Sequence, residues 1–151
     1  MQLLRNASRG LPQIINKMKL YPYLSFNGNC EEALNFYKEA LNGEITQLGR
    51  YGDSPMQSSE AIKDKVLHGR LQFGQMLIMA SDAMDENNTR MGDNISLSVE
   101  CETDDQLEQV FSKMSEDGKI TMPPQDQFWG AKFGMLTDKF GIHWMFNCEK
   151  K

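Results

Sequence analysis

The stretch Asp126–Asn147, DQFWGAKFGMLTDKFGIHWMFN, decides the fold. Its apolar residues fall in two short runs, Ala131–Thr137 and Ile142–Cys148, which read as strands. Between them Asp138, Phe140 and Gly141 predict a tight turn, since Asp hydrogen-bonds nearby backbone and Gly tolerates turn conformations. Alternation along the last run then puts His143, Met145 and Asn147 on one face and packs Trp144 away from it, against a helix.

Reading upstream, Lys119–Met122 suits another strand. Leu107, Val110, Phe111 and Met114 mark one face of a helix that Gly118 stops. Thr103 with Gln106 forms a capping-box pattern at its start. Asn94–Cys101, NISLSVEC, alternates as a half-buried strand does. The first half of the chain repeats this order. Leu20–Phe26 reads as a strand, Asn27-Gly28 as a turn, and Asn29 with Glu32 as a second capping box. Ala33, Leu34, Tyr37 and Leu41 follow at helical spacing and Gly43 is the stop. Strands then fit Glu44–Tyr51, Val66–Phe73 and Met76–Ser81, the last two as a hairpin around Gly74-Gln75.

This internal repetition predicts an α+β fold of duplicated βαβββ modules with cup-shaped mixed sheets. One domain spans 18–148, with module one at 18–81, a polar linker at 82–93 and module two at 94–148. A ferredoxin-like fold accommodates one module but not the duplication with its extra strand. A doubly wound methyltransferase needs alternating strands and helices with a Gly-rich turn after a strand, and no GxGxxG stands in such a place.

The chain has 151 residues, 40% hydrophobic and 25% charged, with a formal net charge of -5. That balance argues against nucleic acid, whose phosphates need a cationic surface. No apolar run approaches the roughly 20 residues of a membrane span. Cys30, Cys101 and Cys148 are widely spaced and odd in number, which suits reduced packing thiols of a cytoplasmic protein. The first 17 residues, MQLLRNASRGLPQIINK, lack acidic groups and carry Arg5, Arg9 and Lys17. They read as an extension outside the fold, with a composition that also touches on transit peptides.

Three blocks carry a family resemblance: PYLSFNGNCEEALNFYKEAL, LHGRLQFGQMLIMASD and the opening stretch, with its Trp-Gly pair, Phe-Gly and D-x-F-G-x-x-W. Together, over Met18 to about Cys148, the chain resembles the PhnB-like branch of the glyoxalase/bleomycin-resistance (vicinal oxygen chelate) superfamily. Some relatives in that branch are described as demethylubiquinone methyltransferase-like. The resemblance implies paired modules whose sheets curl into a cup around a small molecule. It also implies dimeric assembly, with modules or chains pairing to complete the cups. In metal-dependent relatives, His and Glu ligands come from the first and last strands of each module. Aligned block by block, those four positions fall on Pro22, Met79, Asn94 and Met145. Proline has no side-chain donor and a thioether is a poor ligand for a hard or borderline dication, so no metal or other cofactor is expected.

Register arithmetic gives the rest of the expected site. A two-residue turn at Gly74-Gln75 pairs Phe73 with Met76, Gln72 with Leu77 and Arg70 with Met79. His68, Arg70 and Gln72 then share the face of Met79, either as a polar stripe inside the cup or as the wet side of an amphipathic strand. Asn94, Ser96, Ser98 and Glu100 share a face on the fifth strand by the same rule. Candidate ligand-binding residues are Arg70, Gln72, Met79, Asn94, Ser96, Glu100, Trp129, His143 and Met145. His68 is the candidate general base, and Arg70 suits a carboxylate or phosphonate. Trp129 either folds over the cup mouth or closes the sheet end as core, and His143 either lines the cup or serves its rim. The polar segment Gly52–Lys65 covers the cup, reaches a partner chain or is a disordered loop. The expected function is small-molecule binding without a conventional metal site. The rivals are a lyase, isomerase or dioxygenase with a relocated metal near His68 and Glu100, and a metal-free enzyme using His68.

Overall fold

The computed structural model describes residues 17–55, 59–85 and 89–150. The N-terminal extension therefore lies, but for Lys17, outside the described residues. Module one comprises β1 (Tyr23–Phe26), α1 (Cys30–Leu41), β2 (Glu44–Arg50), β3 (Val66–Phe73) and β4 (Met76–Asp82). Module two comprises β5 (Leu97–Glu100), α2 (Asp104–Met114), β6 (Lys119–Asp126), β7 (Ala131–Thr137) and β8 (His143–Glu149). Each module folds one four-stranded mixed sheet, in the orders β1-β4-β3-β2 and β5-β8-β7-β6. In each, the first strand pairs parallel to the last and the other neighbours are antiparallel. The α+β architecture of repeated βαβββ modules is thus as the sequence indicates.

The helices start and stop by means the sequence shows only in part. At α2, Thr103 Oγ1 accepts from Gln106 N at 3.1 Å, and the Gln106 side chain reaches back to Glu102 N at 2.8 Å. This is the expected capping box, closed one residue further out. At α1 the expected box does not form: Asn29 makes no side-chain cap bond. The Asp82 carboxylate supplies the acceptor instead, taking Gly28 N at 2.9 Å, Cys30 N at 3.0 Å and, on its other oxygen, Val66 N at 2.9 Å. Glu32, freed from capping, lies 3.8 Å from Lys139 in module two. The stops are also shared differently from expectation. Asn42 and Asp117 take the left-handed conformation, and Gly43 and Gly118 follow them. Each glycine is required by contact: a Cβ would meet the Gln72 carbonyl at 2.6 Å and the Thr137 carbonyl at 2.5 Å. The two modules thus repeat even this detail.

Several strand limits differ from expectation. β1 begins at Tyr23 rather than Leu20, β2 ends at Arg50 rather than Tyr51, β4 runs on to Asp82, β5 spans Leu97–Glu100 rather than Asn94–Cys101, β6 runs on to Asp126, and β8 is shifted by one residue to His143–Glu149.

One apolar cluster joins the modules on their helix side: Leu34, Tyr37, Phe111, Trp144 and Phe146 are all buried within it. Its polar centre is Asp138, only 3% exposed. One Asp138 oxygen accepts from Phe140 N and Ile142 N, at 2.8 and 3.0 Å, and fixes the turn. The other accepts from the Tyr37 hydroxyl of α1 and from Trp144 Nε1. Burial and the neighbouring carboxylate push the Tyr37 phenol far above its ordinary range. The turn expected to be local therefore also fastens one module to the other. The described part of the 52–65 segment is tied to module one: Lys65 Nζ donates to the Gly28 carbonyl, Gly52 N bonds Lys63 O, and Ile62 is buried.

Candidate functional site

Because α1 packs on β3 and β4, and α2 on β7 and β8, one face of each sheet is covered and the other is left open. The register assigns side chains to the open faces. In module one, Arg70 pairs with Met79, Gln72 with Leu77 and Phe73 with Met76, as the two-residue turn predicts. Tyr23 is the parallel partner of Met79. Tyr23, His68, Arg70, Gln72 and Met79 therefore share a face. In module two, Ser98 pairs with Met145 and Glu100 with Asn147, while Thr137 and Met135 oppose His143 and Met145.

Two of the four positions aligned with metal ligands are corrected here. Pro22 alternates to the opposite face from Tyr23, and its carbonyl oxygen bonds Met79 N at 3.1 Å. Asn94 precedes β5 and lies exposed, so Ser98 takes the place beside Met145. The side chains paired on these strands are Tyr23 with Met79 and Ser98 with Met145. Two thioethers, a phenol and an aliphatic hydroxyl do not fit a hard or borderline dication. Among the described residues no group of three or more His, Cys, Asp or Glu side chains is arranged to hold a metal ion.

The polar groups of the two open faces differ in what they already bind. Tyr23 Oη lies 3.1 Å from His68 Nδ1, with the rings 5.8 Å apart and tilted by 34°. Tyr23 is 47% exposed. Arg70, two residues along, has its Nε buried without a hydrogen-bond partner, and its guanidinium has no ion pair among the described residues. In module two, Asn147 Nδ2 donates to both Glu100 carboxylate oxygens, at 3.0 and 3.1 Å. Both nitrogens of His143 are engaged, Nδ1 with Thr137 Oγ1 at 2.8 Å and Nε2 with the Gly92 carbonyl at 2.9 Å. A carbonyl only accepts, so Nε2 carries the proton and Nδ1 accepts from the hydroxyl. His143 thus fastens the segment between the modules to β8.

Trp129 is no core residue: it is 53% exposed at the β6–β7 turn. Its ring meets Phe133 edge-on, with centroids 5.8 Å apart, and Phe133 is the strand partner of Asn147. Two cavities flank the junction of the modules. One, of about 630 Å³, brings His143 together with Tyr23 and Ser25. The other, of about 560 Å³, is lined by Ser96, Ser98 and Glu100 with apolar groups including Met76 and Trp144. Neither includes His68, Arg70, Gln72, Met79, Trp129 or Met145. The expected single lining is therefore distributed over two open faces and two flanking cavities. Tyr23 was missing from the expected set because its face depends on parallel pairing with a strand some fifty residues away, while the local pattern only marks it as a strand aromatic.

Comparison with known proteins adds the following. Residues 18–146 match the family model described as 3-demethylubiquinone-9 3-methyltransferase. Protein YjdN of Escherichia coli K12 is 30% identical over 144 residues, covering 89% of this chain and 97% of YjdN. The crystal structure of protein PA1353 from Pseudomonas aeruginosa is 38% identical, with TM-score 0.82, covering 89% of this chain and all of that one. A putative 3-demethylubiquinone-9 3-methyltransferase, PhnB protein, from Bacillus cereus is 32% identical, with TM-score 0.74, covering 87% and 99% of the two chains. Solved glyoxalase/bleomycin-resistance/dioxygenase proteins at far lower identity share the fold alone.

Proposed function

This chain belongs to the PhnB-like family whose model is described as 3-demethylubiquinone-9 3-methyltransferase, and from that premise we propose that it binds a small organic anion on the open face of module one, without a metal. The observation that carries the reading is Arg70. A guanidinium whose buried Nε has no hydrogen-bond partner among the described residues is costly unless an acceptor arrives. Its planar fork matches a carboxylate or phosphonate in a bidentate arrangement. The thioether of Met79 and the ring of Tyr23 beside it supply an adaptable apolar wall.

The same reading assigns the closing of the cup to a second copy of the chain. Module one offers the cation and module two offers Met135, Met145, Phe133 and Trp129, and a two-fold dimer would set one against the other in duplicate. The methyltransferase in the family's description is not adopted for this chain. Among the described residues each module has a single α-helix on one face of its sheet, and no GxGxxG follows a strand in the sequence.

The test is calorimetric titration with phenylphosphonate and phenylacetate, alongside sedimentation analysis. The expected outcome is a dimer that binds at least one of the two anions, with affinity falling about 30-fold or more in Arg70→Ala and less in Arg70→Lys, as for loss of a charged hydrogen-bond partner. Equal binding by wild type and Arg70→Ala would overturn the reading.

A further inference from the structure

We infer that the groove between β5 and the β3–β4 hairpin is a docking site for an extended strand, and that residues 1–16 of the same chain are its occupant. The inference is independent of the anion site, none of whose residues lines this groove.

The first observation is an open strand edge. β5 ends its sheet, with β8 as its one neighbour among the described residues. Cys101 N donates to the Asn147 carbonyl, so by alternation Leu97 and Val99 also turn their backbone groups to β8. Those of Ser98 and Glu100 turn to the outer edge, where they make no hydrogen bond among the described residues. Backbone groups at such an edge are a template for another strand, and β5 carries neither Lys nor Pro to blunt it.

The second observation is the chemistry beside that edge. The flanking cavity of about 560 Å³ has apolar walls that include Met76, Ile78, Val110 and Trp144. Its charged groups are Glu100 and Glu102, and no Lys, Arg or His lines it. Neither carboxylate has an ion pair among the described residues. The two kinds of group are sorted by face. Val99 pairs with buried Phe146 on the core side, and Glu100 with Asn147 on the open side. A fitting strand therefore carries an apolar side chain next to a cationic one, since neighbours in a strand face opposite ways.

The third observation is that this chain carries such a segment. MQLLRNASRGLPQIIN has no acidic residue, sets Arg5 directly after Leu4, and adds Arg9, Leu11, Ile14 and Ile15. The family match begins at residue 18, so the segment is an addition to the shared fold. Pro22, just before β1, itself lines the cavity. Sixteen extended residues reach roughly 50 Å, while the four residues of β5 span about 13 Å. A strand tethered this close meets its own groove at a high effective concentration, which favours it over a second copy. Its docking satisfies the Ser98 and Glu100 backbone and removes an edge through which copies could associate.

The test compares the full chain with one that begins at Met18, each checked for a cooperative thermal transition. Hydrogen exchange at the Ser98 and Glu100 amides is expected to be about tenfold faster in the shorter chain, as for loss of edge hydrogen bonds. A photo-crosslinking residue placed at Leu4 of the full chain should couple to the 96–102 stretch or to Met76. Mixing isotopically light and heavy copies should give no mixed product. Glu102→Lys should lower the crosslink yield about threefold or more, with the thermal midpoint unchanged. Equal exchange in the two chains, or crosslinks scattered away from β5, overturns the inference. Crosslinks that join light to heavy copies also overturn it, because the occupant is then a second molecule.

Discussion

The open faces of modules one and two have the same strands in the same order, yet one leaves its polar groups unspent and the other satisfies them internally. On module one, among the described residues, Arg70 Nε has no hydrogen-bond partner and one nitrogen of His68 has none. On module two, Asn147 holds Glu100, and Thr137 with Gly92 holds His143. A duplicated fold therefore divides labour: one face keeps groups available for a ligand while the other is pre-assembled as a wall. Sheet topology cannot distinguish them, since the two orders are identical. The hydrogen-bond accounting does.

The largest test of that division concerns the two buried carboxylates, one in each module. Asp82 gathers three backbone N–H groups, while Asp138 takes two backbone N–H groups and the Tyr37 and Trp144 side chains. Replacing either by Ala orphans several buried donors, at about 1–3 kcal/mol each in principle, so a loss of roughly 3–5 kcal/mol is expected. Urea unfolding should place Asp138→Ala below Asp82→Ala, because only Asp138 ties the modules together. Equal losses would show that the inter-module bond adds nothing.

Next come two glycines at matching places, Gly69 on β3 and Gly134 on β7. A Cβ on Gly69 meets Leu34 Cδ1 at 2.5 Å, the end of a flexible side chain. One on Gly134 meets the Phe111 ring at 2.8 Å and the Pro124 backbone at 3.2 Å. Gly134→Ala should cost about 1–3 kcal/mol by overpacking, and Gly69→Ala less, as read by thermal or urea midpoints.

The faces themselves are compared by a smaller change. Glu100→Gln removes the module-two charge but keeps its shape, and should alter phenylphosphonate affinity by less than about threefold, as for a charge outside direct contact. A larger loss than that of Arg70→Ala would reverse the assignment of roles.

The smallest effect is alkaline. Burial first, then Asp82 and Glu31, push the Cys30 thiol up to about 12. Burial, with Cys148 and Glu100, pushes the Cys101 thiol up to about 11. Each folded thiol holds its proton more tightly than the unfolded one, whose ordinary value is 9.0. The stability linked to them is complete below pH 9 and declines as pH climbs towards those raised values. Cys30→Ala and Cys101→Ala should each flatten the fall between pH 9 and pH 10.5, as read by urea unfolding across that range.

Much of this molecule is legible in short stretches. The Gly74-Gln75 turn sets the β3–β4 register, Thr103 with Gln106 starts α2, and the run Ala131–Thr137 is a strand to the residue. These features depend on hydrogen bonds and side-chain alternation within about ten residues, which local sequence encodes. The sequence also determined that the ligand-like positions hold thioethers rather than imidazoles or carboxylates on β4 and β8. Only the tertiary structure placed Tyr23 rather than Pro22 beside Met79, put Asp82 in the capping role that Asn29 leaves open, and closed Tyr37 onto Asp138. Each of those pairings joins residues some fifty to a hundred positions apart. Such contacts are chosen by the packing of whole elements, where a shift of a single residue turns a side chain to the other face.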